Sequence, residues 1–223
     1  MRISELSRRS GVPVPSIKYY VREGLLAAGT ALGPTSSEYG EDHVKRLHLI
    51  RALIDIGGLS IATAKDVLGA VDSPDLSLAH VFERAQLAVS RTDVYSTEGS
   101  EESRARLDEL VEEQGWRVGP GNPGRVAAGN ILDAFDALGL SGLRSLLTPY
   151  AQAAVAIAEV DLRAVAAQPD IEAMTETVVA GTVLGDALLA ALRRMAQEHM
   201  TSVLFPAPAS PETPSASDDR STP

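Results

Sequence analysis

Apolar positions in the first 26 residues have the spacing of two short helices joined by a tight turn. They recur three and four residues apart on either side of a break at Gly11, at Ile3, Leu6, Ile17, Tyr20 and Val21. Gly24 follows the second run, and glycine favours the left-handed conformation in which helices end. The pattern predicts a helix-turn-helix, whose second helix would be a recognition helix for DNA.

The second predicted helix has a polar outer face. With Ile17 pointing into the core, a rotation of 100° per residue places these residues outside: Pro15, Lys18, Tyr19 and Arg22, with Ser16 at the edge. Cations suit a phosphate-lined groove, and the serine and tyrosine hydroxyls can reach sugar or base edges. The alternative is a solvated helix face without function, since short helix-turn-helix look-alikes are common.

Further elements follow to about residue 70. A stretch with glycine and proline precedes Tyr39, and Gly57-Gly58 separates two helical runs. In this order the chain resembles the MerR family of transcription regulators. The residues that carry the resemblance are Ile17-Lys18-Tyr19-Tyr20, Gly24-Leu25-Leu26, Tyr39 before an acidic helix start, and Gly58-Leu59-Ser60-Ile61.

The resemblance implies a winged-helix DNA-binding domain over about residues 1–70. Lys18 stands where the family usually has arginine, so it would contact the DNA backbone or a base, together with Tyr19 and Arg22. The wing, a small β-hairpin, would lie between about Leu26 and Tyr39. Ser60 would cap the next helix, whose free amides can hold a DNA phosphate.

The chain departs from the family pattern at two places. Pro13 stands where a capping serine is frequent, although proline is tolerated where helix amides lack partners. Ser37 and Glu38 stand where the wing usually carries an arginine. Phosphate repels a carboxylate, so the sequence does not support carrying over the wing's contact with DNA.

Charge is divided unevenly along the 223 residues. The whole chain has 20 Lys and Arg against 30 Asp and Glu, a formal net charge of −10. Residues 1–70 hold nine basic and seven acidic residues, a balance of +2, and the remainder has a balance of −12. A DNA-binding surface is therefore expected only in the first region.

Features that the sequence lacks exclude several kinds of site and location. The chain has no cysteine, which excludes disulfides, thiolate metal ligands and the family's metal- and redox-sensing branches. The N-terminus has no apolar signal core, so we expect a cytoplasmic protein. Thr177 to Leu192 is apolar but short for a membrane span and contains Asp186, which favours a bundle helix and no membrane contact.

The rest of the chain predicts an all-α bundle of four or five helices, so the fold class is mostly α. Helices are expected over Leu76–Arg91, Glu101–Gln114, Asn122–Gly139, Tyr150–Val165 after a Thr148-Pro149 cap, and Pro169 to about Phe205, with an interruption at Tyr95–Ser100. The predicted domains are a DNA-binding domain (1–71), connecting and dimerisation helices (72–118), an effector or assembly domain (119–205) and a disordered tail (206–223).

No catalytic or metal site emerges from this half. The chain lacks the Glu-x-x-His spacing of helical di-metal sites, phosphate loops and nucleophile motifs. Isolated carboxylates on amphipathic helices are usually solvated, and this applies to Asp133, Asp136, Glu159 and Asp161. The other candidates are His43, His48, His80 and His199, and we expect His199 at the surface or a helix end. We therefore predict no enzyme activity, no cofactor and no metal.

Aromatic residues are the remaining candidates for a ligand site. Trp116, Phe135 and Tyr150 would line an effector pocket, with core packing as the alternative. Gly181 and Gly185 would let another helix approach closely, either within the chain or in a dimer.

Together these features predict a transcription regulator. A homodimer would bind a palindromic double-stranded promoter element, act on RNA polymerase indirectly, and respond to a possible small-molecule effector. By resemblance, the dimer would distort the promoter. The alternatives are an effector-independent repressor or architectural DNA binder, and a helical-bundle enzyme with a degenerate winged helix.

Overall fold

The computed structural model describes residues 1–33, 36–73, 77–90 and 98–205. Within these ranges it is helical apart from one two-stranded antiparallel hairpin, which confirms the predicted fold class. The N-terminal elements are α1 Ile3–Ser10, α2 Val14–Glu23, β1 Thr30–Gly33, β2 Ser36–Glu38, α3 Glu41–Arg51, a π-helical turn Ala52–Ile56 and α4 Ile61–Val71.

Five longer helices and one 3-10 helix make up the described residues after 77. They are α5 Leu78–Val89, α6 Glu101–Glu113, α7 Pro123–Ala137, a 3-10 helix Ser141–Leu146, α8 Leu147–Ala166 and α9 Ile171–Leu204. Leu76, Arg91, Tyr95 and the predicted disordered tail at 206–223 lie outside the described residues.

Side-chain caps explain most of these helix starts. Ser77, Ser100 and Asn122 each accept a hydrogen bond from the backbone N–H three residues on, as capping residues do. Pro123 occupies the first turn of α7, where a missing N–H costs nothing. The Asp170 carboxylate accepts from the Ala173 N–H at 2.8 Å and begins α9.

The predicted start of α8 is wrong. Thr148 is not its cap, because the helix begins at Leu147 and continues directly from the 3-10 helix. Pro149 therefore lies in the first turn, where proline needs no donor. The Thr148 hydroxyl instead accepts a hydrogen bond from Arg106 at 3.4 Å.

The main apolar core begins in the helix-turn-helix and continues into later helices. Buried Leu6, Ile17, Leu47 and Leu53 belong to it, and so do Val81, Ala85, Val165, Val178, Val179 and Val183. A separate small cluster consists of Leu107, Leu110, Leu132 and Ala151. The four-part division into domains stays a prediction, although α5 shares a core with the N-terminal region.

The last helix has two different halves. Its first part carries the buried residues Val178, Val179 and Val183, as a core helix does. From Leu188 onward the chain forms a unit separate from Met1–Ala187. By length and composition, α9 is the one described helix that is long and apolar enough to cross a membrane, which on its own is weak evidence.

Candidate nucleic-acid interface

The turn between α1 and α2 is fixed by Gly11 and two serines. Gly11 has a φ of +68°, a conformation that favours glycine. The Ser7 hydroxyl donates to the Val12 carbonyl at 2.7 Å, and the Ser10 hydroxyl donates to the Leu6 carbonyl at 2.7 Å. Ser10 is buried, as is the Val12 side chain. These bonds set the angle at which α2 leaves α1, and the apolar pattern alone did not reveal them.

Hydrogen bonds and an ion pair also fix the C-terminal end of α2. Gly24 has a φ of +78° and ends the helix, as predicted, and the amides of Leu25 and Leu26 donate to the Tyr20 carbonyl at 2.9 and 3.2 Å. Arg46 on α3 donates through Nε to the Leu25 carbonyl at 3.0 Å. Its two terminal nitrogens bind the Asp72 carboxylate at 2.9 and 2.6 Å. Arg46 therefore joins the end of α2 to α3 and to the end of α4.

The outer face of α2 presents the residues that the helical rotation predicts. Ile17 is fully buried, Lys18 and Pro15 are exposed, and Ser16 is partly exposed. Lys18 has no ion pair in the described part of the chain.

Tyr19 and Arg22 form a pair on this face. The guanidinium carbon of Arg22 lies 5.0 Å from the centre of the Tyr19 ring, within cation–π distance. The Arg22 side chain is 72% exposed and also contacts the Glu23 carboxylate at 3.3 Å. The pair orients a cation and a phenol toward solvent on one side of the helix.

Lys65 adds a cation that sequence reasoning missed. It is exposed on α4, and its Nζ would lie 3.7 Å from a Cβ placed on Gly24, at the end of α2. No ion pair involves Lys65 among the described residues. Its position beside Gly24 depends on how α4 packs against the end of α2, which local spacing does not reveal.

The N-terminus of α4 has the form of an anion site. Ser60 accepts a hydrogen bond from the Thr63 N–H at 3.1 Å, which confirms the predicted cap. No acidic residue lies in the first turn, so the positive end of the helix dipole is uncompensated there.

The hairpin expected as the wing is present over Thr30–Gly33 and Ser36–Glu38. Glu38 is 57% exposed, and its carboxylate lies 3.6 Å from the ammonium group of Met1. The same ammonium donates to the Tyr39 carbonyl at 2.7 Å. The negative charge of Glu38 is therefore partly compensated by the N-terminus.

Several other cations of this region are taken up by ion pairs. Arg9 forms a two-pronged pair with Glu41, one contact of which measures 2.6 Å, and Arg51 pairs with Asp55 at 3.0 Å. The hydrogen bonds in the first pair lower the pKa of Glu41 and raise the pKa of Arg9. Arg2, Lys18, Lys45 and Lys65 have no ion pair in the described part of residues 1–70, and Arg22 pairs with the adjacent Glu23.

The predicted effector residues are only partly brought together. Trp116 and Phe135 pack against the small cluster around Leu132. Tyr150 is 50% exposed and is not part of that cluster. Their binding role stays a prediction.

Among the cavities of the described residues, an open cleft and a small pocket are not lined by these aromatics. The larger is an open cleft of about 880 Å³ beside the end of α2, with walls that include Leu25, Ala27, Asp42, Lys45, Glu172 and Glu176. The smaller, of about 40 Å³, lies near Gly99 and Gly129.

The carboxylates weighed for catalysis have structural partners. Asp133 accepts hydrogen bonds from the Ser100 amide and hydroxyl at 2.6 Å each and from the Ser103 hydroxyl at 2.5 Å. Asp136 pairs with Arg144. No group of three or more metal-ligating side chains lies together in the described ranges.

Comparison with known proteins gives matches to regulators. A family described as "MerR HTH family regulatory protein" matches residues 1–70. Nodulation protein NolA of Bradyrhizobium elkanii is 34% identical over 115 residues, which are 49% of this chain and 52% of NolA. NolA of Bradyrhizobium diazoefficiens is 34% identical over 91 residues, 41% and 38% of the two chains. The chain thus spans about half the length of these relatives, or less.

A solved structure matches over almost the whole chain. It is the crystal structure of SCO5550 from Streptomyces coelicolor A3(2), described as a candidate transcriptional regulator. The TM-score is 0.66 and the sequences are 31% identical, with 94% of this chain and all of that chain covered. The likeness therefore includes the helices that follow the helix-turn-helix.

Proposed function

Since the chain belongs to the MerR family of helix-turn-helix regulatory proteins and is a transcription regulator of that type, we propose that it binds a palindromic promoter element as a homodimer. Lys18, Tyr19 and Arg22 are proposed to contact DNA, with Ser16 at the edge of the contact. The protein would work in the cytoplasm and act on RNA polymerase only through the shape of the promoter.

The observation that carries this proposal is the outer face of α2. It presents Lys18 and the Tyr19–Arg22 pair to solvent, on a helix held at one end by Gly11 and at the other by Arg46. Fixed ends support binding, because a contact helix that is already oriented loses little freedom when it meets DNA. Cations on this face would supply salt-dependent affinity.

A second point of contact supports the same orientation. The N-terminus of α4 at Ser60 offers backbone amides to a phosphate. Lys65 on the same helix lies beside the end of α2. We propose that these groups bind the DNA backbone while α2 lies in the major groove, which would fix the register of the protein on the duplex.

The short recognition helix favours a dimer. The ten residues of α2 extend for only about 15 Å, enough for a few base pairs. Two copies on a two-fold axis would read two half-sites and so multiply the specificity of one. This reasoning supports a palindromic element.

Binding to DNA can be tested with the region upstream of the protein's own coding sequence. Fluorescence anisotropy would compare that DNA with a shuffled duplex of equal length over about 50 to 200 mM salt. We expect tighter binding to the upstream DNA and a steep fall of affinity with salt. Equal, weak binding to both duplexes would contradict the proposal for that promoter.

We also propose that the protein senses a small-molecule effector. The cleft beside the end of α2 supports it, because the volume of about 880 Å³ lies within the range of ligand sites. One wall is formed by Leu25 and Ala27, which directly follow the recognition helix. The carboxylates of Asp42, Glu172 and Glu176 favour a cationic compound. Trp116, Phe135 and Tyr150 remain the alternative location.

Sensing and passive assembly give different results in one assay. Compounds that raise the melting temperature of the full-length protein would be selected first. Each would then be tested for its effect on DNA affinity, because coupling between two binding sites is reciprocal. Tight binding of compounds without any change in DNA affinity would support an effector-independent repressor instead. The structural partners of Asp133 and Asp136 support regulation rather than catalysis.

A further inference from the structure

Arg46 on α3 binds two other elements of the DNA-binding region at once. Its Nε donates a hydrogen bond to the carbonyl oxygen of Leu25, just after α2, at 3.0 Å. Its terminal nitrogens donate to the two carboxylate oxygens of Asp72, at the C-terminal end of α4, at 2.9 and 2.6 Å. One planar guanidinium group therefore bridges α2 and α4, the two helices that are proposed to contact DNA.

Arginine suits this bridge better than lysine does. The guanidinium group is a rigid fork, so its Nε and its terminal nitrogens can bind different partners at a fixed spacing. A lysine would replace the fork with a single nitrogen at the end of a flexible chain. Lysine would therefore keep the positive charge without fixing the spacing between Leu25 and Asp72.

The bridge and a proposed phosphate contact lie on the same side of α4. Lys65 and Asp72 are seven residues apart, which at 100° per residue places them within about 20° of each other around the helix. Lys65 Nζ would lie 3.7 Å from a Cβ placed on Gly24, the residue that ends α2. The bond from Arg46 to Asp72 therefore also sets where Lys65 lies relative to α2.

The charge of Arg46 is compensated inside the protein. Its side chain is 18% exposed, and it is paired with the Asp72 carboxylate. A cation at the C-terminal end of α2 also interacts favourably with the helix dipole. Lys18 differs, because it is exposed and has no ion pair in the described part of the chain. Arg46 is therefore suited to holding α2 in place and not to binding a phosphate itself.

We propose that Arg46 is a positioning residue for DNA recognition, which fixes the spacing between α2 in the major groove and the phosphate contacts of α4. This role rests on the proposed function, in which Ser60 and Lys65 bind the DNA backbone while α2 meets the bases. When the spacing is wrong, α2 and α4 cannot make their contacts together, and the DNA sequence is read less well. Contacts to phosphates alone need no fixed spacing, so affinity for unrelated DNA is retained.

The test replaces Arg46 with lysine in the full-length protein. Fluorescence anisotropy compares two duplexes, the sequence that the wild type enriches from a randomised pool and a shuffled sequence of equal length. We expect Arg46→Lys to lower the ratio of the two affinities about tenfold or more, the effect of roughly one mismatched base pair. Affinity for the shuffled duplex should change little, because lysine keeps the charge. Asp72→Asn should lower the same ratio, since it weakens the bridge to α4.

Arg125→Lys is the matched control. Arg125 pairs with Asp108 between α7 and α6, and its side chain is 14% exposed, close to the value for Arg46. The substitution is the same and the burial is similar, but the pair joins helices outside the DNA-binding region. We expect Arg125→Lys to leave the ratio of affinities unchanged.

Amide hydrogen exchange gives a second readout that needs no DNA. The amides of Leu25 and Leu26 donate to the Tyr20 carbonyl at the end of α2. If Arg46 fixes this end, both amides should exchange faster in Arg46→Lys than in the wild type. They should exchange at the wild-type rate in Arg125→Lys.

Four results would overturn the proposal. An Arg46→Lys protein that discriminates the two duplexes like the wild type, or exchanges Leu25 and Leu26 at the wild-type rate, would exclude a positioning role. Equal loss of affinity for both duplexes would indicate general destabilisation instead. If Arg46→Gln flattens the salt dependence by about one unit of log–log slope, Arg46 binds a phosphate itself. A wild type that enriches no sequence would contradict the proposed function too, whereas the other results leave that function intact.

Discussion

The Cα of Gly57 lies against the side chain of Val183, so closely that a methyl group on residue 57 would overlap the Val183 Cγ1 atom. Gly57 directly follows the π-helical turn after α3, and Val183 is a buried residue of α9. The pair joins the DNA-binding region to the last helix through direct packing. A glycine is required there for space and not for its backbone angle, since φ is −72°.

Gly57→Ala should therefore destabilise the protein. Overpacking a tight contact typically costs about 1–3 kcal/mol, and urea unfolding would measure it. Gly69→Ala is the matched control, because a Cβ on that exposed α4 residue would meet nothing within 4 Å and alanine favours helix. Val183→Ala should lower the free energy of unfolding by less in the Gly57→Ala protein than in the wild type. Equal stability of the two single glycine variants would contradict the contact.

The sequence predicts that a helix breaks at Gly57, but it does not predict the contact between Gly57 and Val183. Local spacing identifies that a helix ends near residue 57. It does not identify the side chain, far along the chain, that packs there. Contacts of this kind depend on how α9 folds back onto the core.

Changes on the outer face of α2 should weaken DNA binding without unfolding the protein. Lys18→Ala and Arg22→Ala should each reduce affinity and flatten the salt dependence by about one unit of log–log slope, because each removes a phosphate contact. Tyr19→Ala should reduce affinity with a smaller change in slope. Anisotropy titrations at several salt concentrations measure both quantities.

Two further variants serve as controls for that face. Arg163→Ala removes a cation that is 78% exposed on α8, and it should leave DNA binding unchanged. Ile17→Ala should instead lower the free energy of unfolding by roughly 2–5 kcal/mol, because Ile17 is fully buried. Unchanged affinity in all three outer-face variants would exclude α2 as the contact helix.

Glu38→Arg should tighten DNA binding, and the gain should fade at high salt. The wing carboxylate is repelled by phosphate, and its one ion pair among the described residues is with the Met1 ammonium at 3.6 Å. Glu112→Arg is the control, since it makes the same change of charge on an exposed residue of α6. Equal effects of the two variants would attribute the gain to net charge and not to the wing.

Asp133→Asn should destabilise the protein at neutral pH and less so in acid. Hydrogen bonds from Ser100 and Ser103 hold the pKa of Asp133 below its ordinary value. The stabilisation is therefore complete above the unfolded pKa of about 4, and it is lost as the pH falls through the lower folded pKa. Unfolding free energies of both proteins between about pH 7 and 3 should converge at the acid end. A constant difference would contradict the charged hydrogen bonds.

Some features of the candidate interface could also be predicted from neighbouring residues, whereas others depend on residues far apart in the sequence. Helical rotation around Ile17 was enough to predict the exposed face of α2, and the residues next to Ser60 were enough to predict a cap. The Arg46–Asp72 pair and the position of Lys65 were not predictable, because they depend on how α3 and α4 pack against the end of α2. The ion pair between Arg9 and Glu41 was hidden for the same reason.

The predicted effector residues show a second limit of prediction from sequence. Trp116, Phe135 and Tyr150 are predicted to line an effector pocket because aromatic residues commonly line ligand sites. Residue type alone does not show where a side chain points: Tyr150 is half exposed on α8, while Trp116 and Phe135 pack against the small cluster around Leu132. Charged residues of α3 and α9, with Asp72 and Asp170, form about half of the wall of the cleft beside Leu25. No local sequence pattern connects them.

Selection of DNA from a randomised double-stranded pool, followed by sequencing, tests most directly whether two recognition helices bind a palindromic element. We predict that the full-length protein enriches an inverted repeat with half-sites centred one or two helical turns apart. A Lys18→Ala/Arg22→Ala protein should enrich no sequence. Enrichment of a sequence without inverted symmetry, or the same sequence from both proteins, would contradict the proposal.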